Sequence, residues 1–367
     1  MSVICLLLST MQQSAYGDWR AHLEGARRII QMRGGLKEVI SKNAYFKPLL
    51  AFFVAIDVIA ATTAPSTHKH MYAATTMALQ YYKVEEGIFQ CNLAISMPCP
   101  EELFQTLILI NYLRAITRRT DLTSRRHAGT RMVLEKLQGF SAPQWALKMK
   151  YFKGWKTSGD GVQFDDKEAL GVGAASPSTT RSSSQDTTPG LSGPSPHPKR
   201  ETPDTPEPRT PITDLWLNVA IAYRSAILLY AVQTLITDIA EDKDFLHAAD
   251  GGIQPDDLAA VCLESRRALA ECLIPIFADP TSAHDFGKLV YFPMFVCGMQ
   301  LNVDDHSSQD WVTRGLETVG TACGTLGPIS AAEELRGYWA ASAKCNYGER
   351  VTWDKWFEGR PDFIFGF

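Results

Sequence analysis

Several groupings in the chain combine side chains that could hold a metal, move a proton or bind phosphate. His68 and His70 form an H-x-H pair with the spacing of two metal ligands, but they follow Pro65 in a polar stretch with no third ligand nearby. They read as solvated loop histidines. Asp304-Asp305-His306 comes nearest to the aspartate-rich metal motif of an all-helical enzyme acting on an apolar, isoprenoid-like diphosphate. It lacks a third acid at the right spacing and reads as a polar loop between helices. Asp165-Asp166 lies in a low-complexity segment that cannot hold a site. His22 sits among apolar residues at helical spacing, as a core or capping histidine does. Arg114, Arg118, Arg119, Arg125, Arg126, His127 and Arg131 make the most basic stretch, suited to phosphate binding or nuclear import. Asp121 and Glu135 dilute it, no aromatics interleave, and a solvated helix end and loop is the plainer reading. No G-x-S-x-G, H-E-x-x-H, G-x-x-x-x-G-K or strand-borne G-x-G-x-x-G is present. Catalytic residues and metal ligands are therefore expected to be absent from this chain.

The whole composition points the same way. With 367 residues and 45% apolar types, the chain can bury a large core. Its net charge of −4 is no footprint of a nucleic-acid-binding surface. The 8 cysteines, at 5, 91, 99, 262, 272, 297, 323 and 345, are dispersed through apolar segments without C-x-x-C pairs, and read as buried free thiols in a reducing compartment. The long apolar run Leu49 to Ala64 is interrupted by Asp57 and falls short of the roughly 20 residues of a membrane span. No membrane association is expected.

The elements that would position these residues are helices. Met1 to Gln13 has helix-spaced Val3, Leu6, Leu7 and Met11 and reads as a helix cut into rather than begun, so the chain is expected to start within a domain. Asp18 can cap a helix whose Trp19, His22, Leu23, Ala26, Ile29 and Ile30 form one apolar face. Small Gly25 and Ala26 let a neighbouring helix approach. Glu24 can pair with Arg28; Arg27, Arg28 and Arg33 suit the negative end of the helix dipole, and Gly34-Gly35 supplies the positive φ that ends the helix. Tyr45 to Thr63 is apolar nearly all round, as in a helix buried among helices. Its one charge, Asp57, must lie at a rim, pair with an arginine or face a ligand cavity. Pro98 to Glu102 opens another helix through Leu103, Leu107, Ile110 and Leu113.

From Lys156 to Thr213 Gly, Ser, Thr and Pro dominate and periodicity stops, which predicts a disordered insert. Ser176, Thr188, Ser195, Thr202, Thr205 and Thr210 each precede proline and are candidate sites of proline-directed phosphorylation. The organisation expected is 1–155 as an N-terminal helical half, 156–213 as the insert and 214–367 as the C-terminal half of the same all-α domain. In that second half Asp214 to Ala240 carries Trp216, Ala220, Tyr223, Ile227, Tyr230 and Leu235 along one face. Asp256 to Phe277 is amphipathic, Leu289 to Gly298 should kink at Pro293, and Trp311 to Leu326 and Pro328 to Ala343 are further helices.

Four segments carry a resemblance. The string W-x-x-H-L-x-G-A-x-x-I-I-x-x-R-G-G, with Trp19, His22, Leu23, Gly25, Ala26, Arg33, Gly34 and Gly35, resembles the opening motif of the fungal-specific transcription factor regulatory domain. The string from Trp216 through Ala220, Tyr223 and Arg224 to Tyr230 is similar to that family's second hallmark. The F-P-x-F-x-x-G segment with Pro293 and Gly298 resembles its proline-containing apolar segment, and Trp353 with Trp356 its closing W-x-x-W, after a helix carrying Leu335 and Trp339.

The resemblance implies an all-helical regulatory domain of a transcription regulator, acting in the nucleus and able to shuttle from the cytoplasm. Such domains follow an N-terminal six-cysteine zinc cluster, which this sequence does not contain. Zinc is expected only if such a cluster lies upstream, and DNA contact only through that module or a partner's. A homodimer or heterodimer with another regulator is the partner expected; the apolar runs Tyr45 to Thr63 and Leu289 to Gly298, with a kink at Pro293, read either as the walls of a site for a small apolar effector between helices or as plain core. The motif residues themselves hold the fold together and perform no chemistry.

Overall fold

The computed structural model describes residues 2–17, 19–42, 44–66, 71, 77, 80–81, 99–116, 123–150, 155–158, 161–164, 212–236, 255–345 and 351–364. They form an all-α architecture. In chain order the helices are α1 (Ser2–Gln13), α2 (Trp19–Met32), α3 (Leu36–Lys42), α4 (Lys47–Thr62), α5 (Glu101–Ala115), α6 (Thr123–Gly139), α7 (Ala142–Lys150), α8 (Ile212–Ala231), α9 (Pro255–Ala278), α10 (Pro280–Phe286), α11 (Tyr291–Gln300), α12 (His306–Cys323), α13 (Gly327–Ser342) and α14 (Trp353–Phe357). Between α7 and α8 an antiparallel hairpin pairs β1 (Trp155–Ser158) with β2 (Gly161–Phe164), Trp155 opposite Phe164. The six proline-directed sites of the expected insert lie outside the described residues, as do Asp18, His68, His70, Cys91, Arg118, Arg119 and Asp121.

The core forms around helices that have no polar face. Helix α4 buries every residue from Leu50 to Thr62 except Phe52, since a helix apolar all round gains by having neighbours on every side. Helix α5 lies against it and against α6. In the second half α8 is the central rod, packed between α7, α9 and α11, while α11 lies on α12 and α13. At 23 residues, Asp214–Ile236 is long and apolar enough to cross a membrane, yet 78% of that window is buried inside the protein. It exceeds the Leu49 to Ala64 run in length. Beyond Ala231 the rod continues as a π-helical turn, Val232–Ile236, where the Thr234 hydroxyl donates back to the Tyr230 carbonyl at 2.7 Å.

One contact brings together helices far apart in sequence. Trp145 of α7 meets Trp216, near the start of α8, edge to face at 5.7 Å between ring centroids. Helix α7 and the start of α8 are therefore held side by side.

Pro293 does not kink a helix. A 3₁₀ turn, Gly287–Val290, precedes α11, and Pro293 falls in the first turn of α11, where a missing N–H leaves no bond unmade. Likewise Asp305 is the N-cap of α12, accepting from the Ser308 N–H at 3.1 Å, so this helix starts five residues before the apolar pattern becomes visible at Trp311.

Candidate functional site

Two constellations that combine charge, burial and geometry lie along α4, one at Asp57 within the helix and one at its C-terminal end, and both are built on arginine. In α2, Trp19, Leu23, Ala26 and Ile30 face the core as the spacing requires, while His22 is half-buried on the flank and Ile29 is 39% exposed. Arg27 departs from expectation. It is buried, with its guanidinium Nε donating to Asp57 Oδ1 at 2.9 Å, a second nitrogen paired with the same carboxylate, and a third paired with Glu24 one turn earlier. The Tyr81 hydroxyl donates to the other oxygen of Asp57. Asp57 thus takes the arginine-paired option, and Arg27 is a core ion rather than a complement to the helix dipole. Burial alone would pull the Arg27 pKa down; the charge and hydrogen bonds of Asp57, with Glu24, outweigh it and hold the group above its ordinary value. Burial, then the Asp57 charge, push the Tyr81 phenol well up, so it stays a donor.

The second constellation sits at the C-terminal end of α4. Arg114, at the end of α5, is 1% exposed. It donates to the carbonyls of Ala61 and Ala64, each at 3.0 Å, to the Tyr230 hydroxyl, and to Asp354 of α14. The last carbonyls of a helix carry its negative dipole end, so a cation there satisfies unpaired acceptors and the dipole together. Tyr230 in turn donates to Asn111 Oδ1 at 2.8 Å, and the Asn111 amide donates to the Val58 carbonyl at 2.9 Å. The Trp353 indole N–H donates to Thr62 O at 2.7 Å, and its ring meets Tyr230 edge-on at 5.0 Å. Burial would lower the Arg114 pKa, but Asp354 and Tyr230 raise it above its ordinary value. Arg114 therefore leaves the solvated basic stretch in which the sequence placed it. Of its described companions, Arg125 lies 5.5 Å over the Tyr112 ring and Arg126 donates to Leu235 O at 3.2 Å.

The remaining motif residues are packing positions. Gly34 and Gly35 have φ of +93° and +89°, and the Gly35 N–H reaches back to Ile30 O at 3.0 Å, closing α2 as expected. Gly25 faces Val3 of α1, where a Cβ would stand 3.7 Å from the valine methyl; Arg33 is exposed. Trp216, Ala220 and Tyr223 are buried on α8, and Arg224 is half-buried near Cys272. Gly298 faces α13, and Trp339 closes over its carbonyl. The apolar segments 45–63 and 289–298 join one hydrophobic cluster, bridged by Trp353, whose ring lies 6.0 Å from Phe295. Their apolar side chains pack into that core.

Of the described cysteines, Cys99, Cys262, Cys272 and Cys297 are buried, but Cys5 and Cys323 are exposed, which corrects the reading of all as buried. No three His, Cys, Asp or Glu side chains stand together as a metal site among the described residues, so these residues do not fit a zinc cluster. What the arrangement can do is hold helices in register through two buried cations.

Over 362 residues the chain is 20% identical to the phomenoic acid biosynthesis cluster-specific transcriptional regulator of Leptosphaeria maculans, covering 98% of this chain and 53% of that protein. The chain thus spans about half the length of this curated relative. No solved structure matches. The sequence model of the fungal specific transcription factor domain matches residues 1–366, and the chain belongs to that family.

Proposed function

We propose that this chain is the regulatory domain of a fungal transcription regulator, acting in the nucleus on RNA polymerase II transcription, with DNA contact supplied by a module outside these residues or by a partner. The observation that carries the reading is the family match across residues 1–366, supported by a relative named as a cluster-specific transcriptional regulator. The two buried arginine junctions suit it. A charged core that links distant helices ties their positions together, so a protein partner or small effector bound at one face is felt at another.

The test is a fusion of the chain to a heterologous DNA-binding domain in a fungal reporter strain. Reporter output that differs by several-fold from the DNA-binding domain alone is expected. Unchanged output from a well-expressed, folded fusion would count against the reading, and metal-dependent turnover of an isoprenoid diphosphate by the purified chain would favour an enzyme instead.

A further inference from the structure

The segment 351–364 is held differently from the rest of the core. Its short helix α14 bonds its own backbone locally, with Trp356 N–H to Thr352 O and Glu358 N–H to Asp354 O, both at 3.0 Å. Gly359, at φ +73°, then turns the chain so that 360–364 runs back along the N-terminal helices. Outward, the segment is pinned by discrete pegs. Asp354 pairs with Arg114, Trp353 donates to Thr62 O at 2.7 Å, and Asp362 pairs with Arg20 at 2.6 Å. Thr63 donates to Phe363 O, Ile364 N–H reaches Ala15 O at 3.1 Å, and Phe363 forms an isolated bridge with Tyr16. Apolar anchoring comes from Trp353, Trp356, Phe357, Phe363 and Ile364, all buried.

These pegs land on N-terminal elements, the end of α4, the end of α5 and residues 15–20, while on α13 Glu334 pairs with Arg360 at 3.5 Å and the Tyr338 hydroxyl donates to Val351 O at 3.2 Å. The segment itself follows α13, against which Trp356 packs with its ring 5.5 Å from Tyr338. It therefore bridges the two halves of the chain. Its seat is complete without it in one decisive respect: Arg114 keeps the Ala61 and Ala64 carbonyls and Tyr230 when Asp354 leaves. The carboxylates that would leave are the ones already touching water, with side chains of Asp354 20% and Asp362 34% exposed against 0% for Arg114 and 7% for Arg20. Undocking thus rehydrates the acids, spares the cap of α4, and leaves a buried cation facing the vacated seat.

We propose that residues 351–364 are a releasable strap, with Arg114 and Asp354 as its catch, and that undocking of this strap is a conformational step separate from unfolding. A unit with local internal bonds and side-chain pegs opens below the free energy of global unfolding. Release removes the strap's own ties between the N-terminal elements and α13, while the Tyr16 hydroxyl still donates to Glu334 at 2.6 Å.

Native-state amide hydrogen exchange on the full chain tests this without reference to transcription. The amides of Trp356, Glu358, Arg360 and Ile364 should exchange together, at least tenfold faster than those of Leu229 in α8 and Val296 in α11. Asp354→Asn should accelerate the strap amides a further several-fold while leaving α8 and α11 unchanged. Asp362→Asn, at the more exposed peg, should do the same to a smaller degree and serves if the first variant folds poorly. Strap amides as protected as α8, or variants that raise exchange equally everywhere, would overturn the proposal.

Discussion

The Trp339 indole N–H donates to the backbone carbonyl of Gly298 at 3.0 Å, and the same glycine lies so close to α13 that a Cβ built on it would stand 2.4 Å from a Leu335 methyl. Helix α11 can rest on α13 only because that position has no side chain. Gly298→Ala gains up to about 1 kcal/mol of helix propensity, yet it forces the buried Leu335 aside at about 1–3 kcal/mol. We expect a net loss of stability, read as a lowered urea midpoint with unchanged slope.

Asp57→Ala leaves the Arg27 charge buried with Glu24 as its remaining carboxylate, and Tyr81 without its acceptor. Stripping one partner from a buried ion pair costs about 3–5 kcal/mol. The double variant Arg27→Met, Asp57→Leu should recover much of that loss, because it removes both charges. Chemical denaturation of the three variants checks the order; a single variant as stable as the parent contradicts the pairing.

Arg114→Lys should not be tolerated as conservative. A single ammonium cannot reach the α4 carbonyls, Tyr230 and Asp354 at once, as the planar fork does. The expected loss is about 2–4 kcal/mol, by analogy with other broken buried charge networks. Thermal unfolding monitored by circular dichroism is the measurement.

Trp19→Ala should cost about 3–5 kcal/mol, since the ring is wholly buried where α2 enters the core. His22→Ala, on the half-buried flank of the same helix, should cost under about 1 kcal/mol. Comparable losses at both positions would contradict the assigned faces.

The buried thiols set an alkaline limit. Burial pushes Cys297 up to about 12 from an ordinary 9.0, and Cys272, by burial and the neighbouring Glu271, to about 11. Above pH 9 the unfolded chain releases protons that the folded one retains, so the folded state binds more protons and stability falls as pH rises from about 9 toward 12. At pH 8 a thiol reagent should label Cys5 rapidly and leave Cys297 unmodified until denaturant is added; rapid native labelling of Cys297 would contradict its burial.

The helices were largely legible because periodicity is local. Trp216, Ala220, Tyr223, Ile227 and Tyr230 announce the buried face of α8 within fifteen residues, and Gly34-Gly35 announces its own turn. The arginine junctions were not legible for the converse reason. Arg27 meets Asp57 across 30 positions and Arg114 meets Asp354 across 240, and a charged side chain read alone belongs on the surface. A signal existed for each. Asp57 inside an apolar helix demanded a cation, and Arg114 continues the run Leu107, Ile110 and Leu113 along the buried side of its helix.

The edge contact between Trp145 and Trp216 has a consequence for where the chain can be lengthened. It holds α7 and the start of α8 side by side, so lengthening the chain between these helices leaves their contact in place and adds loop-closure entropy of about 0.6 kcal/mol for each doubling of length. Reporter tags placed between α7 and α8 therefore leave the pairing of these two helices intact.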